Sequence, residues 1–129
     1  METRFVTIEE ALALHATALQ LTHGKLGVHD IGALLGCLER PKTVLGGQEM
    51  FPTLFLKAAA LTETIARNHP FVDGNKRTAH LLGRELLVLN GYELEPQIEE
   101  IEKCMLWIVT QKPPLDEIAA WLEKNSKKQ

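Results

Sequence analysis

Sulfur is scarce in this chain: Cys37 and Cys104 are its only cysteines in 129 residues, and they lack CxxC spacing. Both sit in apolar helical surroundings, which predicts buried free thiols in a reducing compartment and excludes a disulfide framework. Four of the five histidines, His15, His23, His29 and His80, show no His-x-x-x-His spacing, so surface or helix-packed roles are preferred over metal ligation. No apolar run approaches membrane length, and no charged segment leads into an apolar core at the N-terminus. The expected location is therefore cytoplasmic, with no membrane partner. Excess charge is missing too. A formal net charge of -3 argues against direct nucleic-acid binding through bulk electrostatics. The one basic run, Lys124 to Lys128, belongs to residues 124–129, where a frayed tail is expected. Internal repeats and low-complexity segments are also absent.

What remains is the pattern of a soluble core, 45% hydrophobic against 24% charged, at a length suited to one domain over residues 1–129. Thr7-Ile8-Glu9-Glu10 is a capping box, and Ile8, Leu12, Ala16 and Leu19 place a first helix over residues 8–21. Asp30 caps a second, with Ile31, Leu34, Leu35 and Leu38 in one stripe until Pro41. Residues 41–51 lack helical period and hold Gly46-Gly47, which suggests a short hairpin: a candidate flap, or a mere connector. Pro52 suits the first turn of a helix that runs to Arg67 and is apolar on more than one side, hence central. Further helices follow over about 74–90, ended by Gly91, then from Pro96 to Pro113-Pro114, then from Leu115 to Glu123. Trp107 and Trp121 fall on apolar stripes and are expected in the core. The fold class is all-α, a compact single-domain bundle of about six helices.

Chemistry concentrates between the third and fourth helices, in His69-Pro70-Phe71-Val72-Asp73-Gly74-Asn75-Lys76-Arg77. The first amides of a helix have no partner within it, and the helix dipole places partial positive charge there, so this juncture suits phosphate. His69 precedes a proline, which lifts it out of the helix, and an imidazole can accept a proton from a hydroxyl at neutral pH. Asp73 can cap the next helix or hold a magnesium ion that bridges phosphates. Gly74 permits close backbone approach, and Asn75 can donate to a phosphate oxygen. Lys76 and Arg77 add a point charge and a planar fork. Phe71, apolar among polar neighbours, anchors the loop. His80 and Arg84 fall near the rim. Together these predict a nucleotide-phosphate site with His69 as its base.

The nine residues resemble the signature of the Fic/Doc superfamily, His-x-Phe-x-(Asp/Glu)-(Gly/Ala)-Asn-(Gly/Lys)-Arg. The resemblance extends through Gly27-Val28-His29-Asp30, Glu39-Arg40-Pro41, Lys57-Ala58-Ala59-Ala60-Leu61 and Asn90-Gly91, and is closest to the Doc (death-on-curing) branch, bacterial toxins of toxin–antitoxin pairs. It implies the all-helical Fic fold, with His69 as general base, Asp73 as magnesium ligand, Asn75 on phosphate and Arg77 on the outer phosphates. ATP or another nucleoside triphosphate, with Mg2+, would be the donor. Lys76 stands where adenylyltransferases of this superfamily usually carry glycine. A lysine there fills the space and implies a reversed nucleotide, hence γ-phosphate transfer to a Ser or Thr of a translation factor, elongation factor Tu by resemblance. Gly74 matches the Fic form, whereas some Doc proteins carry alanine.

Two alternatives stay open, AMP transfer and a catalytically inactive module that acts with its antitoxin on their operon. No (Ser/Thr)-x-x-x-Glu-(Gly/Asn) inhibitory string occurs, so restraint is expected from a separate antitoxin whose C-terminal segment folds upon binding.

Overall fold

The computed structural model describes every residue except 1, 21 and 97. Among the described residues six α-helices carry the fold: α1 (Ile8–Gln20), α2 (Ile31–Glu39), α3 (Leu54–Asn68), α4 (Asn75–Leu89), α5 (Ile98–Gln111) and α6 (Leu115–Lys124). Two small antiparallel ladders join them, β1 (Val44–Leu45) with β2 (Gln48–Glu49), and β3 (Tyr92–Leu94) with β4 (Ser126–Lys128). The all-α expectation holds.

The helices begin where the local chemistry of the chain starts them. Thr7 and Glu10 form the reciprocal capping box, with Glu10 N donating to Thr7 Oγ1 at 3.2 Å and Thr7 N to Glu10 Oε1 at 3.0 Å. Asp30 Oδ1 accepts from Ala33 N at 3.0 Å and caps α2. For α3 the cap is Thr53, whose Oγ1 accepts from Leu56 N, so Pro52 stands outside the helix rather than in its first turn. Gly91 takes φ 91 beyond the end of α4, the left-handed geometry expected of it. The expected ends at residue 21 and ahead of Ile98 adjoin positions outside the described residues.

α3 is the spine. Lys57 through Ala66 are all buried, and the helix packs against α2, α4, α5 and α6. Ala58, Ala59 and Ala60 are fully inaccessible, and their small side chains let neighbouring helices approach closely. Gly83 of α4 sits against α3, where an added Cβ would run into Thr62 Oγ1. The α3–α4 crossing is therefore tight at the level of the backbone, and it fixes the relative placement of the two helix ends that flank residues 69–74.

Two further expectations need correction. Residues 124–129 do not fray: Lys124 closes α6, and β4 pairs Ser126 with Leu94, Lys127 with Glu93 and Lys128 with Tyr92. The backbone groups of 92–94 offer a ladder, and a three-residue strand keeps both lysine side chains in water. The inward face of α1 is Ala11, His15, Ala18 and Leu19, whereas Leu12 is 40% exposed. That face is rotated from the expected stripe because a histidine belongs to it. Residues 41–51 do form the short hairpin, turned by Gly46 (φ 57) and Gly47 (φ 80) as a type I′ loop requires.

Candidate active site

α3 ends at His69, which adopts a left-handed backbone (φ 52, ψ 56) and donates its N–H to Ile65 O at 3.3 Å. Positive φ is uncommon for a residue with a Cβ, and here it turns the chain sharply so that the imidazole stands exposed at the helix end. The loop beyond is clamped from both sides. Pro70 O accepts from His29 N at 2.8 Å and Asp30 N at 3.1 Å, Val72 N donates to Gly27 O at 3.0 Å, and Val28 bridges Phe71. Phe71 is 2% exposed, and its ring stacks on His15. Asn75 completes the clamp: Phe71 N donates to Asn75 Oδ1 and Asn75 Nδ2 donates to Phe71 O, both at 3.0 Å. One of the two Nδ2 hydrogens of Asn75, expected to donate to a phosphate, is thereby spent on its own loop.

The start of α4 is open. Gly74 is its N-cap residue in a left-handed conformation (φ 73, ψ 25), and no side chain among the described residues caps the helix. The first hydrogen bond into the turn is Thr78 N to Gly74 O, so the N–H groups of Asn75, Lys76 and Arg77 precede it. A Cβ at 74 would also meet Leu19 Cδ2 at 2.9 Å, so both conformation and space favour glycine there. Asp73 does not cap α4. Its Oδ1 accepts from Gly74 N at 2.9 Å and its Oδ2 from Lys25 N at 3.2 Å, which orients the carboxylate. Gly24 makes this possible, because a Cβ on it would stand 2.7 Å from Asp73 Oδ2.

A cavity of about 1020 Å³ opens over this helix start. His69, Asp73, Gly74, Asn75, Lys76 and Arg77 line one side, with His80 and Arg84 further along α4. α5 supplies much of the rest of the lining, apolar through Ile98, Ile101, Met105 and Leu106, with Glu102 as its one carboxylate. Every residue expected to touch nucleotide therefore meets in one place. The described residues give Lys76, Arg77 and Arg84 no ion-pair partner, whereas Arg40 and Arg67 both hold Glu63 and Lys57 holds Glu49. His80 adds no positive charge at neutral pH, since burial, reinforced by Arg84, lowers its pKa to about 4. The hairpin contributes nothing to the lining. It is rooted at the N-terminal end of α3, and His69 lies at the other end, about 22 Å along the axis.

The family model described as "Fic/DOC family" matches residues 5–87, a span that contains every one of these motif residues. The chain belongs to the Fic/DOC family. It is also similar to the protein named Toxin Doc of Mycolicibacterium smegmatis, with 37% identity over 122 residues, 93% of this chain and 92% of that relative.

Within that family frame, the donor set bears on magnesium. The described residues hold no cluster of three or more His, Cys, Asp or Glu side chains able to cage a metal ion. Asp73 is a single oriented carboxylate beside an uncapped helix start, which fits an ion that takes one or two protein oxygens and completes its shell with phosphate and water. No helix among the described residues is long and apolar enough to cross a membrane. Both cysteines are buried and free, and burial raises both thiol pKa values, that of Cys104 to about 12.

Several residues that shape the site gave no signal in the motif. His15, Gly24, Lys25 and Gly27 lie 42 or more residues before His69 and act through contacts that no local pattern encodes. Ile98 (71% exposed) and Leu106 (54% exposed) read as ordinary members of an amphipathic stripe, yet they form the cavity wall.

Proposed function

We propose that this protein is the toxin of a toxin–antitoxin pair and a transferase that moves the γ-phosphoryl group of a nucleoside triphosphate onto a Ser or Thr hydroxyl of a translation factor. One observation carries the reading: an exposed imidazole, a helix N-terminus and three cations line one cavity, and among the described residues neither the helix start has a side-chain cap nor the cations an ion-pair partner. Positive charge of this density favours a polyphosphate, and the amides of Asn75, Lys76 and Arg77 precede the first hydrogen bond of α4 and can bind its oxygens.

In this mechanism His69 accepts the proton of the attacking hydroxyl. A bond forms between that oxygen and the γ-phosphorus, the bond from the γ-phosphorus to the bridging oxygen breaks, and the nucleoside diphosphate leaves with the electron pair. Arg77 and Lys76 hold the terminal phosphates, Arg84 adds charge at the rim, and the α4 amides bind phosphate oxygens. Asp73 would hold Mg2+, which neutralises phosphate charge when bound. The apolar α5 wall fits the uncharged part of the donor. Translation arrest through elongation factor Tu is the target reading that the family resemblance supports, and antitoxin binding is the expected restraint, since Arg77 lacks a carboxylate partner among the described residues.

AMP transfer is the second reading, and it is favoured by one feature: Lys76 is exposed and unpinned, so its side chain can leave the helix start. Incubation with γ-labelled and α-labelled ATP in a bacterial extract separates the two. Label from γ on a translation factor supports the proposal, label from α supports AMP transfer, and label from neither overturns both.

A further inference from the structure

We propose that His15 is a positioning residue for the transfer site, holding the backbone of the metal-binding position from a different helix. This rests on the transferase reading above. His15 belongs to α1, 58 residues before Asp73, and is 1% exposed. Its Nε2 lies 2.9 Å from Asp73 O. A carbonyl oxygen only accepts, so Nε2 carries the proton and donates. The ring also stacks on Phe71, with centroids 3.9 Å apart and 15° between planes.

These two contacts seize the loop at Phe71 and Asp73, two residues apart, so the segment between them cannot rotate about either. Among the described residues Asp73 has two other polar restraints, the Lys25 and Gly74 amides on its carboxylate. The Gly74 amide and the Asp73 carbonyl belong to one peptide, the peptide that enters α4: the Asp73 carboxylate holds its N–H from within the loop, and His15 holds its C=O from another helix. A leucine or phenylalanine in its place would fill the core equally well, and a core position needs no donor. The polar contact is therefore explained by what it orients: the Asp73 residue and its carboxylate, against the imidazole of His69. A partner of this kind, one step removed from a metal ligand, ordinarily matters to metal affinity as well as to turnover.

The test uses a nearly isosteric pair in the full-length chain. His15→Gln retains an N–H at the Nε2 position, and His15→Met has the same reach without a donor. Calorimetric titration measures the affinity for Mg·ATP and for metal-free ATP, with transfer of γ-label as a second readout. His15→Met is expected to weaken Mg·ATP binding by about tenfold, with metal-free ATP affinity unchanged and His15→Gln within about threefold of the parent. A folded His15→Met with parental Mg·ATP affinity overturns the inference, as does an equal loss for both forms of ATP, which marks a merely structural role. Should His15→Met fail to fold, His15→Phe keeps the stack and lacks the donor, and the same criteria apply. If neither folds, the residue is structural and the inference falls. A parent chain that neither binds Mg·ATP nor transfers label sinks the transferase reading itself, and this inference with it.

Discussion

Asn75 grips Phe71 by both of its backbone polar groups, accepting from Phe71 N and donating to Phe71 O at 3.0 Å each. The first residue of α4 thus closes the loop that precedes it, and both partners are buried. Asn75→Ala leaves two buried backbone groups without partners, at a cost of about 2–4 kcal/mol. Urea unfolding should show that loss as a lowered midpoint at unchanged slope. Asn75→Asp keeps the acceptor and loses the donor, and should fall between Asn75→Ala and the parent.

Gly83 and Thr62 mark the closest approach of α4 to α3. Gly83→Ala drives its Cβ into Thr62 Oγ1, which itself bonds Ala58 O at 2.9 Å. Overpacking of this kind costs about 1–3 kcal/mol. Combining Gly83→Ala with Thr62→Ala should recover part of the loss, a coupling that a double-mutant cycle of unfolding free energies measures directly. Strict additivity of the two substitutions would contradict the crossing described here.

His80 makes stability depend on pH. Its pKa falls from the ordinary 6.5 to about 4 in the folded protein, chiefly through burial. Between those values the unfolded chain binds the proton and the native chain does not, so this contribution to stability is whole above pH 6.5 and is lost progressively down to about pH 4. Each unit of separation is worth about 1.4 kcal/mol. His80→Gln should flatten the stability profile in that window, read by denaturant unfolding at successive pH values.

Lys76 decides which phosphate meets His69 in the proposed mechanism. Lys76→Gly removes a charge-assisted contact worth about 1.5–3 kcal/mol, so γ-phosphoryl transfer should drop at least about tenfold. AMP transfer to the same target should emerge, visible by mass spectrometry. Phosphotransfer that stays at the parental rate would remove the reason for preferring a kinase.

Much of this was legible in the chain because it is written locally. Caps at Thr7 and Asp30, the glycine stop at Gly91 and the glycine pair at the hairpin tip each act within a few residues of themselves. The motif from His69 to Arg77 was readable for the same reason: its residues are consecutive, so whatever fold holds them keeps them together. The grip of Asn75 on Phe71 was not readable, because it depends on the path that the packed chain gives Phe71. The frayed tail failed similarly. A lysine-rich terminus looks unstructured until the free edge of residues 92–94 is known to lie beside it.

By itself, then, the amino-acid order determined the helices, their ends and the identity of the reactive groups, since capping, periodicity and side-chain chemistry are short-range. Tertiary structure decided everything that depends on surfaces far apart in the chain. It brought α1 beneath the motif so that His15 and Leu19 meet the loop, set α5 along the same cavity as α4, and gathered there three cations that have no ion-pair partner among the described residues. Burial and charge pairing are properties of the packed chain as a whole, so no stretch of sequence carries them alone.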